Sequence, residues 1–244
     1  MAPGFTCPTQ EAEQRLRHAG FMRIAGIDEV GRGPIAGPVV AGAVVLPVLE
    51  GGEYPDFLLI RDSKTLTALQ RERAAALVRD LTGAIGVGEA SVEEIDALGI
   101  VPATKLAMRR ALDLLPEPPD HLLVDAVQLD WRLRPCEAII RGDAQCLAIA
   151  AASVVAKVHR DAIMCDLDEM YPGYGFANHK GYAAPEHLAA VASLGPSPIH
   201  RMSFSPFRPT LFDGTFASAA SVSPAPMSSR AESRARQRKV AVEG

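Results

Sequence analysis

Two adjacent acids, Asp28 and Glu29, follow the apolar run Ile24-Ala25-Gly26-Ile27 and precede Gly31-Arg32-Gly33-Pro34. Asp125 closes a second apolar run at 122–124, and Asp143 stands just beyond a third at 138–140. In α/β sheets, strand ends are where ligands bind. Carboxylates are hard oxygen donors suited to Mg²⁺ or Mn²⁺. Two such ions held close together activate water and stabilise the leaving oxygen in phosphodiester hydrolysis. That chemistry needs several carboxylates, which repel one another unless a cation holds them together. The competing reading is that acids end strands as turn formers. Asp28-Glu29 is the hardest to explain that way. Neighbouring strand residues point to opposite faces, so for both acids to serve one cluster the chain must turn or twist there, and the glycines that follow give it the freedom.

Gly31-Arg32-Gly33 has two readings. It is either a tight hairpin or a segment that brings backbone groups against a ligand, with Arg32 adding a cation. The spacing Gly31-x-Gly33-x-x-x-Gly37 loosely mimics a dinucleotide-binding fingerprint. That fingerprint should open a helix, whereas Pro34, Pro38 and a β-branched run follow here. A phosphate-binding P-loop is excluded because the G-K-[ST] ending is missing.

The elements that must position these residues read as follows. Residues 8–19 form a short polar helix closed by Gly20. Residues 22–27 and 39–48 form two strands joined by a glycine- and proline-rich turn. Thr67-x-x-Gln70 is a capping box opening a helix to about Leu81, and Ser91-x-x-Glu94 is another opening a short helix. Residues 83–90 make a third strand, 102–115 a longer helix, and 122–124 and 138–140 two compact strands. Residues 144–170 read as one long helix, 171–182 as a glycine-rich loop and 185–194 as a helix. Three strands close together, followed by strands alternating with helices, predict an α/β domain with a mixed sheet.

Composition sets the outer bounds. The chain has 244 residues, 48% hydrophobic and 22% charged, enough for an ordinary buried core. Aromatics are only 5%, which argues against a stacking platform for single strands. The formal net charge of -4 counts against a nucleic-acid binder, although a carboxylate site counted without its metals biases the sum towards acid. The charge is uneven: from Gly214 on, Arg230, Arg234, Arg236, Arg238 and Lys239 face only Glu232 and Glu243. This basic tail, 214–244, is also rich in Ala, Ser and Pro and is expected to be disordered. Cys7, Cys136, Cys146 and Cys165 have no C-x-x-C spacing, so zinc and a thioredoxin-type pair are not expected, and a reducing cytoplasm suits them. The start of the chain shows no signal peptide, and no run of about 18 apolar residues predicts a membrane span.

Ile27-Asp28-Glu29-Val30-Gly31-Arg32-Gly33-Pro34 resembles the opening motif of ribonuclease HII. So do Asp62-Ser63-Lys64-x-Leu66, Gly142-Asp143-Ala144 leading into the run from Ile149 to Asp161, and Tyr174-Gly175-Phe176-x-x-His179-Lys180-Gly181-Tyr182. The resemblance runs from about Gly26 to Pro209. It implies a ribonuclease H-like fold, a mixed sheet flanked by helices with a helical C-terminal part. On it, residues 1–20 are an N-terminal helical extension and 21–213 the catalytic domain. It implies cutting of the RNA strand of RNA–DNA hybrids, and cutting 5′ of a single ribonucleotide in duplex DNA. The ends would be a 3′-hydroxyl and a 5′-phosphate, made with Mn²⁺ or Mg²⁺ in a two-metal mechanism by a monomer without membrane partners.

Residue by residue, the resemblance assigns Asp28, Glu29, Asp125 and Asp143 to catalysis and metal binding. Gly31, Arg32 and Gly33 match the segment that senses the ribose 2′-hydroxyl, and Tyr182 matches the tyrosine that stacks on the neighbouring deoxyribose. Lys64, Ser153, Lys157 and Arg160 match positions near the substrate backbone. A 2′-hydroxyl is what separates RNA from DNA at a given site, and basic residues on phosphates give salt-dependent affinity. Structural readings stand beside these: the Ala148–Ala156 run as tight helix packing, Ser153 as packing or phosphate contact, Tyr174 and Phe176 as loop packing, His179 and Lys180 as either. One departure from the family pattern is Asp125-Ala126, where Asp-Gly is frequent, so the backbone past Asp125 is expected to differ. A non-catalytic hybrid-binding module is the rival from another class, but four carboxylates beside phosphates suit pure binding poorly.

Overall fold

The computed structural model describes residues 7–47 and 59–208. The basic tail 214–244 and residues 1–6 lie outside the described residues. The described chain forms two compact units. The first holds residues 7–32, 39–47, 59–90 and 100–160; the second holds 33–38, 91–99 and the chain from 161 on.

The first unit is built on a five-stranded sheet in the order β3-β2-β1-β4-β5. Its strands are β1 (Ile24–Val30), β2 (Val39–Val45), β3 (Ile85–Ala90), β4 (His121–Asp125) and β5 (Cys136–Ile139). β1, β2 and β3 form an antiparallel meander, whereas β4 runs parallel to β1 and β5 parallel to β4. The mixed sheet expected from the sequence is therefore observed. In the β1–β4 register Ile27 pairs with Val124, which brings Asp28 and Asp125 to neighbouring strand ends.

Helices cover both faces of this sheet, and small residues let them approach. The long helix α5 (Leu147–Met170) lies against β1 and β2 where Gly26 and Gly42 stand. A β-carbon on Gly26 would overlap the backbone of Ala148 and Ile149, and one on Gly42 would sit 2.5 Å from the Ala152 carbonyl oxygen. The Ala148–Ala156 run is thus close helix packing. On the other face, α4 (Ile100–Asp113) meets Gly86 and Gly88 of β3 through the backbone of Ala107 and Ala111. The short helix α1 (Glu11–His18) joins the core through buried Leu16. Helix α2 (Ala68–Leu81) opens with the full Thr67–Gln70 capping box, and its Ala74 and Ala75 pack with Val154 of α5.

In the second unit, α3 (Val92–Leu98) opens with the Ser91–Glu94 capping box. The glycine-rich stretch 171–182 is not wholly a loop, because α6 (Phe176–His179) makes one turn between two left-handed residues, Gly175 and Lys180. Helix α7 (Pro185–Leu194) starts on its proline, whose missing N–H costs nothing at that position. A small core joins Ala36, Met164 and Phe176. Arg201 is fully buried, and its guanidinium donates to the carbonyls of Pro34 (2.7 Å) and Gly37 (2.7 Å), fixing the segment after Gly33.

Close helix–sheet approach at Gly26 gives a direct test. Gly26→Ala should cost about 3 kcal/mol of stability in urea melts, because backbone and not a flexible side chain meets the added carbon. Gly83→Ala, where a β-carbon meets nothing within 4 Å, should change stability by less than about 0.5 kcal/mol. Equal small effects at both positions would contradict the packing described.

Candidate active site

The acids occupy the ends of the two central parallel strands and the turn that leads into α5. Asp28 lies in β1 and is only 4% exposed. Its Oδ1 accepts the Glu29 backbone N–H at 2.7 Å, and its carboxylate also accepts the Ser153 hydroxyl from α5. Ser153 is joined in turn to Ser63 Oγ at 3.0 Å. Ser153, expected as packing or a phosphate contact, therefore holds Asp28. Ser63, which belongs to the Asp62-Ser63-Lys64 motif but carried no expected role, is the buried residue behind it.

Glu29 follows on the other face of the pleat. Its Oε1 accepts Arg32 Nη1 at 3.1 Å, while its Oε2 is buried without a hydrogen-bond partner. Asp125 Oδ1 accepts the Gly142 backbone N–H at 2.7 Å, tying β4 to the 3₁₀ turn Gly142–Ala144 that carries Asp143. Asp143 is buried, and its Oδ2 meets Lys64 Nζ at 3.2 Å. Gly31, at φ +92°, turns the chain just past the acidic pair.

Electrostatics joins these groups. Burial, then the charges of Glu29 and Asp125, push the Asp28 carboxyl well above the usual range, against the hydrogen bonds from Ser153 and Glu29. Burial also raises Glu29, with Arg32 opposing and Asp125 adding to the rise. Asp125 is raised by burial and Asp143, against the Gly142 hydrogen bond and the charges of Lys64 and Arg32. On Lys64, burial opposes the charge, but Asp143, Asp62 and Asp28 outweigh it and lift the ammonium above its ordinary value. Asp28 and Glu29 point to opposite faces yet both feel Asp125, because Asp125 ends the strand beside them.

The remaining candidates fall as follows. Lys157 is half-buried on α5. Arg160 is fully enclosed, so anything it adds to substrate binding passes through what it holds in place. In the second unit, Gly33 and Tyr182 meet. A β-carbon on Gly33 would stand 3.5 Å from Tyr182 Cε1, and the Tyr182 ring is 50% exposed. His179 turns inward, with Nε2 2.8 Å from the Tyr174 carbonyl oxygen. Arg201, His187 and His200 carried no expectation. They lie in runs with no periodicity or motif spacing that would mark them as buried polar groups.

Just past Asp125 the backbone turns left-handed at a residue other than glycine. Ala126 adopts φ +49°, the left-handed conformation that glycine takes freely, and the alanine bears the strain.

Acids ending neighbouring parallel strands of a sheet ordered 3-2-1-4-5, with a long helix packed behind them, define a ribonuclease H-like nuclease. Solved structures agree: the ribonuclease H2 from Pyrococcus horikoshii superposes with a TM-score of 0.65 at 28% identity, over 77% of this chain and 96% of that one. The family model for ribonuclease HII matches residues 25–206. A ribonuclease HII from Geobacter sulfurreducens is 49% identical over 79% of this chain and 86% of its own length. One from Chloroflexus aggregans is 51% identical over 82% and 94%. The chain belongs to the ribonuclease HII family and is an endonuclease of the ribonuclease H class.

Strain at Ala126 is measurable. Ala126→Gly should raise stability by about 0.5–1 kcal/mol, since relief of the left-handed conformation exceeds the extra freedom glycine has when unfolded. A loss of stability in the same denaturant melt would contradict the backbone geometry past Asp125.

Proposed function

We propose that the chain cuts the RNA strand of RNA–DNA hybrids, and cuts 5′ of single ribonucleotides in duplex DNA. Asp28, Glu29, Asp125 and Asp143 form the cutting site. The observation that carries this reading is the burial of Asp28 beside Glu29 and Asp125, whose charges add to the cost of ionising it. Folding gains nothing from such an arrangement. A site that binds cations does.

The donor set fits a hard divalent cation. All four groups offer oxygen, and Glu29 Oε2 is a buried acceptor without a partner. Among the described residues no three potential ligands already form a metal cage. Each acid is instead held by a local donor: Ser153, Arg32, the Gly142 N–H and Lys64. Mn²⁺ or Mg²⁺ held by these four carboxylates would supply an activated water and charge stabilisation at the leaving oxygen.

The chain's own groups do the rest. Ser63 and Ser153 fix the direction of Asp28. Lys64 balances Asp143 and stands ready for a phosphate, as does the exposed guanidinium of Arg32. Gly33 is exposed and has no side chain, so its backbone can approach a sugar and read a 2′-hydroxyl by hydrogen bonding without base contacts, with Gly31 turning the chain before it. The Tyr182 ring, half-exposed beside Gly33, stacks on the neighbouring deoxyribose and crowds out a sugar that carries a hydroxyl. The 2′-hydroxyl is read and does not attack. Lys157 adds affinity for the backbone that weakens with salt. The chain acts as a monomer. Among the described residues, no helix is long and apolar enough to cross a membrane.

The test is cleavage of a DNA duplex holding one ribonucleotide, beside a uniform RNA–DNA hybrid, in Mg²⁺ and in Mn²⁺. Asp28→Asn should lower kcat on both substrates at least about a hundredfold. Tyr182→Ala should lower cutting at the single ribonucleotide about tenfold and spare the hybrid within about threefold. Equal activity of wild type and Asp28→Asn would refute the cutting site, and an unchanged substrate ratio in Tyr182→Ala would refute the sugar reading.

A further inference from the structure

Behind Tyr182 the second unit buries a set of histidines that the cutting reaction does not use. His187 on α7 and His200 beyond it are 0% and 1% exposed. Their Nε2 atoms lie 3.0 Å apart. His187 Nδ1 lies 2.7 Å from the Tyr182 carbonyl oxygen. His200 Nδ1 lies 2.8 Å from the Ser197 backbone nitrogen.

The chemistry of these partners fixes where the protons are. A carbonyl only accepts, so His187 Nδ1 carries hydrogen. A backbone amide only donates, so His200 Nδ1 is bare. A neutral His200 then holds its proton on Nε2 and gives it to the bare Nε2 of His187. Ser197 Oγ, 2.8 Å from His200 Nδ1, can donate as well. The Ser197 carbonyl oxygen is farther, at 3.2 Å, and makes no bond to a bare nitrogen. A one-way chain results, from the Ser197 N–H through two imidazoles to the Tyr182 carbonyl.

The surroundings hold the chain neutral. A second proton on His187 would set two donors face to face at 3.0 Å, and one on His200 Nδ1 would face the Ser197 N–H at 2.8 Å. Phe176 stands edge-on to His187 at 5.3 Å, and Phe207 and Tyr174 flank His200. His179 stacks on His187 at 4.2 Å; its Nδ1 accepts the Gly181 N–H at 3.2 Å. Burial lowers both His187 and His200, the latter to about 4, with further lowering from His179 on both and from His187 on His200; backbone hydrogen bonding at Tyr182 and the charge of Glu186 oppose on His187, and backbone hydrogen bonding at Ser197 opposes on His200.

This network ends on the backbone that aims the sugar-reading ring. The Tyr182 N–H donates to the His179 carbonyl at 3.0 Å, and its carbonyl accepts the Ala184 N–H at 2.8 Å besides His187. Tyr182 is 50% exposed, so packing sets only part of its orientation and its place beside Gly33 depends also on its main chain. We propose that His187, held in one tautomer by His200, is a positioning residue for sugar recognition: it fixes the Tyr182 main chain so that the ring stays against Gly33. The proposal rests on the reading of Tyr182 as the residue that meets the deoxyribose.

The experiment measures kcat/KM on the single-ribonucleotide duplex and on the uniform hybrid for the full-length wild type and four variants. These are Tyr182→Ala, His187→Phe, His187→Asn and the Tyr182→Ala/His187→Phe double variant. His187→Phe keeps the ring volume but removes the donor, and should lower the single-ribonucleotide-to-hybrid ratio about tenfold. His187→Asn, whose amide can donate from near the Nδ1 position, should restore the ratio to within about threefold of wild type. The double variant should fall no further than Tyr182→Ala alone, because both changes remove one function.

If Tyr182→Ala itself leaves the ratio unchanged, the Tyr182 reading is wrong and the proposal falls with it. If Tyr182→Ala lowers the ratio and His187→Phe does not, the positioning role alone is overturned. Should His187→Phe fail to fold, the ¹⁵N shifts of the wild-type imidazoles decide instead. Hydrogen on Nδ1 of His187 and on Nε2 of His200 supports the relay, and the same tautomer in both rings refutes it.

Discussion

Bringing carboxylates together out of water is the constraint around which the first unit is arranged. A buried acid is costly to ionise, and a second acid beside it raises that cost. Parallel pairing of β1 with β4 sets Asp28 next to Asp125, and the turn into α5 adds Asp143. Nearly every polar contact nearby offsets this crowding: Ser153 on Asp28, the Gly142 N–H on Asp125, Lys64 on Asp143, Arg32 on Glu29. Ser153 can reach Asp28 only because α5 lies unusually close to the sheet, and Gly26 and Gly42 permit that approach. Replacing either glycine would move the helix that holds the acid.

On the proposed function, cutting falls to residues of the first unit and sugar reading to residues of the second. The acids belong to the first, whereas Gly33 and Tyr182 belong to the second. The second unit also buries polar groups. Arg201 grips the carbonyls of Pro34 and Gly37, and His187 grips that of Tyr182. An apolar core would pack as well, but it would not fix the direction of particular carbonyls. Discrimination of one hydroxyl demands a backbone held to a fraction of an ångström, and hydrogen bonds from enclosed, rigid donors supply that.

Much of this was legible in the sequence. Both capping boxes stand where Thr67-x-x-Gln70 and Ser91-x-x-Glu94 put them, because the motif satisfies its own backbone donors locally. The apolar run 122–124 marked the end of β4 at Asp125, whereas β1, expected to stop at residue 27, runs on through Asp28 and Glu29 to Val30. What stayed hidden depends on contacts distant in sequence. Nothing near Ser63 says that it meets Ser153, 90 residues away. Nothing near Arg201 says that it will be enclosed around carbonyls 164 and 167 residues earlier. Ala126 gave no sign in the sequence of the left-handed conformation it adopts, where its N–H is held by the Ile139 carbonyl. The stretch 171–182 looked like a loop from its glycines, yet Phe176 finds a core to pack in and pulls one helical turn around it.

The central claim of the proposed function is that ionising the buried Asp28 opposes folding and that a bound cation offsets that cost. Its folded carboxyl is raised well above the ordinary range. Its contribution to stability is therefore fully present below the unfolded value of about 4 and is lost as pH rises through the raised folded value. The measurement is thermal melting of wild type and Asp28→Asn from pH 3 to pH 8, in chelator and then in Mn²⁺. In chelator the variant should melt higher near neutral pH, and the difference should vanish towards about pH 3. Mn²⁺ should raise the melting temperature of the wild type and act more weakly on the variant. A variant that melts lower than wild type at neutral pH in chelator, with equal Mn²⁺ stabilisation of both proteins, would contradict the account.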